Sequence, residues 1–320
     1  MTSDGVGESD RPGYDPAFLG EGFVAPLPAR TAALAGQLFE IDGDPELRYL
    51  TYSVFFHRTR RFPVLSAANF DQSKKGDIDR GDWWRGDPRV DADLTAVDAL
   101  QVGGAWYDTR PRVPRKGTRN GVVIFDRGHL TSYENAHWSD DHRASRGRDT
   151  FHYTNCAPQW NQFNQHDLWR TLERWAGERG DGKVCLFNGC VFDAPRSAKA
   201  PDRRWKLQPQ GPPHRDPSSG GIAVPKQFFK VVVWREDGKV RVESFIVTQE
   251  GWLVDLPALH RRSVADEELV DLPEELHVYR LDLGHVERLT GLSFDLPRHR
   301  MIEGESLPDP ELITSLDDLN

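Results

Sequence analysis

A chain of 320 residues, 38% hydrophobic and 28% charged, is long enough to bury one large core. No apolar run approaches the roughly 20 residues needed to cross a bilayer, and Met1 to Asp10 lack the basic start and apolar segment of a secretory leader, so a cytoplasmic location without a membrane partner is expected, unless another route exports the chain. Three cysteines do not suggest a disulfide framework, and a formal net charge of −9 argues against passive binding to nucleic acid.

Residues 1–30 are rich in Gly, Pro and Asp and read as an arm, loose over its first dozen residues and packed on the main domain from Tyr14 to Gly20. Thr31 is a candidate N-cap for a short helix reaching Leu38. Leu50–His57 and Phe62–Asn69 have strand composition and form a hairpin through the basic turn Arg58-Thr59-Arg60-Arg61. Residues 71–100 read as a charged loop fixed by Trp83, Trp84 and the turn Asp87-Pro88-Arg89. Its Asp77, Asp79, Asp82 and Asp87 lack the order of a calcium loop.

Two basic clusters follow, each free of acids: Arg110, Arg112, Arg115, Lys116 and Arg119, then His142, Arg143, Arg146 and Arg148. A single basic loop is usually just solvated, but two that bracket one stretch suggest a groove for a polyanion. Between them Val122-Val123-Ile124-Phe125 runs into Asp126-Arg127-Gly128-His129. The β-branched run reads as a short buried strand, and Gly128 as the residue that ends it sharply and presents His129. A neutral imidazole there is a plausible base, Asp126 a group to orient it or the local backbone, and Arg127 a planar fork suited to phosphate.

Phe151–Tyr153 then reads as a strand, Asn155–Gln159 as a turn containing Pro158, and Asn164–Glu178 as a helix with Leu168, Leu172, Trp175 and Ala176 on its apolar face. Lys183–Val191, Phe228–Trp234 and Ser244–Gln249 are further strands, with Arg235-Glu236-Asp237-Gly238-Lys239 turning one into the next. Cys185 and Cys190 serve as small apolar side chains in the first of these. Residues 193–220 form an insertion carrying Trp205 among Arg203, Arg204 and Lys206. His277–Leu283 is a last strand, Leu289–Phe294 a packed end, and 301–320, with six acids and no Lys or Arg, a flexible tail.

The order Asp126-Arg127-Gly128-His129, Thr154-Asn155-x-x-Pro158-Gln159, Phe163-Asn164-Gln165, then Trp169 and Leu172-Glu173, resembles the DNA/RNA non-specific endonucleases, the ββα-metal nucleases that include endonuclease G. The resemblance implies an α+β fold with a central, largely antiparallel sheet flanked by helices over residues 31–300. It implies metal-dependent hydrolysis of phosphodiester bonds in DNA and/or RNA. His129 would be the general base, and Asn164 the direct ligand of Mg2+, with Mn2+ as a substitute. Glu173 would hold metal-bound water, Arg127 would stabilise phosphate charge, and Asp126 and Asn155 would complete the site. Arg61, Arg115, Lys116, Arg143, Arg146 and Arg148 are the candidate substrate contacts.

The chain departs from the family where Glu173 stands nine residues after Asn164 instead of eight, which turns its direction on a continuous helix and leaves Asp167 as a rival. A bland role exists for each residue: a helix cap for Asn164, a solvated face for Glu173, a structural histidine for His129. A catalytically degenerate nucleic-acid-binding module would keep the basic loops without Mg2+. An active nuclease endangers its own cell, so a regulated effector or toxin with an inhibitor or activating partner is expected. Oligomeric state, a homodimer included, stays open.

Overall fold

Apolar runs with almost no polar alternation, Val184–Val191 and Phe228–Trp234, become strands buried on both faces. The computed structural model describes residues 11–76, 80–96, 98–108, 112–113, 122–123, 125–138, 143–164, 167–192, 214–215, 222–249, 277–297, 309–315 and 317–319. Eight strands form one sheet in the order β16 (Glu311–Ile313), β14 (His277–Leu281), β13 (Lys239–Thr248), β12 (Gln227–Glu236), β9 (Lys183–Val191), β4 (Pro63–Asp71), β3 (Tyr52–Phe56), β2 (Glu46–Arg48). Every neighbouring pair is antiparallel. The β12–β13 hairpin closes through Asp237 and Gly238 at φ 51° and 69°, the paired positive values of a turn whose twist matches its strands.

Short ladders tie the periphery: β1 (Ala29–Arg30) with β15 (Leu292–Ser293), β5 (Arg112–Val113) with β6 (Val122–Val123), and β10 (His214–Arg215) with β11 (Ala223–Val224). Helix α1 (Ala32–Ala35) starts where Thr31 Oγ1 accepts from the Leu34 N–H. The other helices are α2 (Gly104–Asp108), α3 (Arg143–Asp149), α4 (Asn161–Asn164), α5 (Asp167–Gly177) and α6 (Leu283–Thr290). On α5, Trp169, Leu172, Trp175 and Ala176 are buried, and the Trp175 ring meets Trp234 and Phe245 of the sheet. Among the described residues no helix is long and apolar enough to cross a membrane.

Five local expectations are corrected. Residues 283–290 are helical: Asp282 caps the start through the Gly284 N–H, and Gly291 ends it at φ 73°. The acidic tail is not loose throughout, because β16 pairs with β14 and buries Ile313. Arg11 is not part of a loose start, since it is buried in an ion pair of 2.8 Å with Asp149. Phe151–Tyr153 is not a strand: its rings pack on Trp84, and Tyr153–Asn155 is a 3-10 turn. Cys156–Trp160, expected to be a turn around Pro158, is a strand. All three cysteines are free and buried. Residues 193–213, which include Trp205 and its basic neighbours, lie outside the described residues.

Candidate active site

Strand β7 (Phe125–His129) pairs antiparallel with β8 (Cys156–Trp160), in register from Phe125–Trp160 to His129–Cys156. Pro158 is tolerated because this ribbon has only two strands, so its missing N–H breaks no inner ladder. Gln249 fills the free edge, accepting from the Trp160 N–H at 2.7 Å and donating to the carbonyls of Pro158 and Pro225 at 3.1 and 2.6 Å. That amide docks the ribbon onto the central sheet. Gly128 does not end the strand, as the sequence suggested, but sits inside it opposite Ala157. The absent side chain is what matters there: a Cβ would lie 2.2 Å from Cδ of Gln159.

The ribbon runs directly into α4, so two strands and a helix meet at one place. His129, Asn164 and Glu173 line one cleft of about 390 Å³. His129 is held between Trp84 and Phe151, with ring centroids at 4.4 and 4.6 Å. Its Nε2 is buried and has no hydrogen-bond partner among the described residues. Burial, reinforced by the Arg80 charge, depresses the imidazole pKa to about 3, so the ring is neutral at physiological pH.

Asn164 donates from Nδ2 to Asp126 Oδ2 at 2.9 Å. An ionised carboxylate only accepts, so this contact assigns the amide nitrogen to Asp126 and leaves the amide oxygen as the acceptor for the cleft. Asp126 thus orients Asn164 rather than the imidazole. Glu173 belongs to α5, a separate helix from α4, so the direction expected from one continuous helix does not apply. Burial raises the Glu173 pKa, with Lys230 the leading opposing charge. Among the described residues no group of three or more His, Cys, Asp or Glu could cage a metal. One amide oxygen beside a carboxylate suits a hard cation that keeps most of its water.

Asn155 is fully buried. Its Oδ1 accepts from Ser66 Oγ and the Thr131 N–H at 2.9 and 3.0 Å, and its Nδ2 donates to the carbonyls of Thr131 and Thr150 at 2.9 and 3.0 Å. It fixes the backbone that leaves His129 and is not among the residues that line this cleft. Arg127 does not line the cleft; its guanidinium faces Asp108 and, at 3.8 Å, Asp82. Arg61 is turned away at φ 66° and donates to the Leu100 and Gln101 carbonyls. Arg146 lies over Trp138 and Arg148 over Trp83, both outside the cleft lining. Arg115, Lys116 and the Arg143 side chain lie outside the described residues.

The basic groups that do line the cleft are Lys75, Arg80, Arg170 and Arg174, none of which lies in the two basic clusters of the sequence. Arg170 and Arg174 carried a signal, since a spacing of four puts them on one helix face. So did Lys230, a lone charge inside Phe228-Phe229-Lys230-Val231-Val232-Val233.

An α+β molecule whose Asp-Arg-Gly-His strand, partner strand and following helices converge on one cleft has the ββα-metal nuclease architecture. The sequence profile of the DNA/RNA non-specific endonucleases matches residues 31–298, and the chain belongs to that family. It is 28% identical over 318 residues to the uncharacterized protein y4fB of Sinorhizobium fredii, covering 96% of this chain and 40% of that protein. It is 30% identical over 151 residues to mitochondrial endonuclease G of Bos taurus, covering 43% of this chain and 46% of that one. The chain therefore spans less than half the length of the curated relatives it matches. A solved structure of an EndoG/EndoGI complex aligns at TM-score 0.47 and 19% identity, over 83% of this chain and 91% of the other.

Proposed function

We propose that the chain is a metal-dependent, non-specific endonuclease acting on DNA and/or RNA. The observation that carries this reading is the convergence of His129, Asn164 and Glu173 in one cleft lined by Lys75, Arg80, Arg170 and Arg174. Such cations draw in a phosphate backbone without reading bases, and make binding fall steeply with salt. Neutral His129 takes the proton of the attacking water. The walls of Trp84 and Phe151 hold the ring, and a bound phosphate would favour the imidazolium it becomes. Asn164 would hold Mg2+, or Mn2+ in its place, with Asp126 fixing the amide. When bound, the cation neutralises charge on the phosphate and on the departing oxygen. Glu173 orients water at the cleft wall. A nuclease of this kind needs restraint in its own cell, so an inhibitor or activating partner belongs to the reading.

The test is cleavage of plasmid DNA and of RNA by the purified chain. EDTA should abolish cleavage, and added Mg2+ should restore it. Binding of both nucleic acids with no cleavage under any divalent metal would instead identify a degenerate binding module.

A further inference from the structure

Lys230 is a charged residue in the middle of the central sheet, only 1% exposed. It pairs across strands with Asn188 of β9, which pairs in turn with Ser66 of β4, so the three side chains form one polar row on one sheet face. Its ammonium donates to Asn188 Oδ1 at 2.7 Å and sits 4.9 Å from the centre of the Trp169 ring. Trp169 and Glu173 are four residues apart on α5, so they share a helix face. The ammonium therefore lies under the same helix face that carries Glu173 to the cleft.

We propose that Lys230 is a positioning residue of this cleft: its buried ammonium is the counter-charge that keeps the Glu173 carboxylate ionised and set against the cleft wall. The inference rests on the nuclease reading for its catalytic consequence only. A buried ammonium without a carboxylate is costly, and a carboxylate partly withdrawn from water at the cleft wall gains from a cation beneath it. The two form no direct ion pair, and each acts on the other's charge across the Trp169 side of α5. Burial lowers the Lys230 pKa while Glu173 raises it; burial raises the Glu173 pKa while Lys230 lowers it. The other charges felt by Glu173 are Arg80 and Arg170, which favour its ionised form, and Glu134, which opposes it. His129, Lys75, Arg174 and Glu178 line the same cleft. Lys230 approaches from the buried face of the sheet, where no solvent screens it.

Two measurements test the pairing. In Lys230→Met the aliphatic stem stays and the charge goes. Cleavage at neutral pH should fall about tenfold or more, and the acid limb of the rate profile should move up by about one pH unit, because Glu173 then ionises later. In a Glu173→Gln background the same change should cost no more than about twofold. A purely structural lysine would lower the melting temperature and leave the acid limb where it is, which would overturn the proposal.

The second measurement needs neither activity nor a folded Lys230 variant. In Glu173→Gln the ammonium loses its carboxylate, so the folded chain holds that proton less tightly than the unfolded chain. Stability rises with pH wherever the unfolded state binds more protons. The urea midpoint of Glu173→Gln should thus climb more steeply than that of the wild type between about pH 7 and 10, the window below the ordinary lysine pKa. Parallel curves would refute the pairing. A wild-type chain with no nuclease activity would sink the nuclease reading and leave these unfolding curves intact.

Discussion

Asn155 and Asn164 lie nine residues apart and use the same amide in opposite ways. Asn155 makes four hydrogen bonds inside the protein, to Ser66, Thr131 and Thr150, and has nothing left to offer. Asn164 spends one N–H on Asp126, and its amide lines the cleft. The same contrast separates buried Gln249, which accepts one hydrogen bond and donates two, from His129, whose buried Nε2 has no partner among the described residues. Saturated amides hold the ββα ribbon in place, and unsaturated groups are what the ribbon delivers. A buried polar atom left unpaired costs stability, so its persistence beside a cleft marks a place where stability gives way to chemistry.

The contrast can be broken most decisively at His129. His129→Ala should cut the cleavage rate by about 10²–10⁴-fold, the range for losing a general base, with little change in metal affinity. Rates across a Mg2+ titration measure both, and near wild-type cleavage would remove the Asp-Arg-Gly-His strand from the chemistry.

Asn155→Ala should act on the other side of the comparison. It orphans the Thr131 N–H and two carbonyls and leaves the Ser66 hydroxyl only Thr131 Oγ1 as partner, and should lower unfolding stability by about 2–4 kcal/mol. Urea titration reads that loss, whereas metal affinity of the folded fraction should hold. An unchanged midpoint would mean the network is not structural.

The smallest effect is expected in the second basic cluster. Arg148→Ala removes a guanidinium stacked 5.1 Å from the Trp83 ring and absent from the cleft lining. Stability and rate should change by no more than about 0.5 kcal/mol, roughly twofold in rate. A tenfold rise in KM would show that the groove extends beyond the cleft.

The comparison also explains what could be read from the sequence. The residues of the ribbon and of α5 were legible because motif order and helical spacing are local properties. Lys75, Arg80, Arg170 and Arg174 stand apart in the chain, and only the tertiary approach of Lys75 and Arg80 to α5 makes one rim of them. The strand composition of Phe151-His152-Tyr153 misled because its rings spend their area on Trp84 and His129 instead of on a ladder. Helix α6 was missed although Asp282 and Gly291 stand at its two ends as start and stop. The Cys156–Trp160 strand was hidden by Pro158, a residue that argues against an inner strand and says little about a ribbon with a free edge.

The contact between Gly128 and Gln159 makes two motifs one evolutionary unit. With only 2.2 Å between a would-be Cβ and Cδ of Gln159, a side chain at 128 requires the Gln159 side chain to shift or to be shorter. Alanine at 128 is accommodated most readily where 159 is already shorter, since the space it needs is then empty. The two positions are thereby coupled in volume, and a relative with a larger residue at the first position is expected to carry a smaller one at the second.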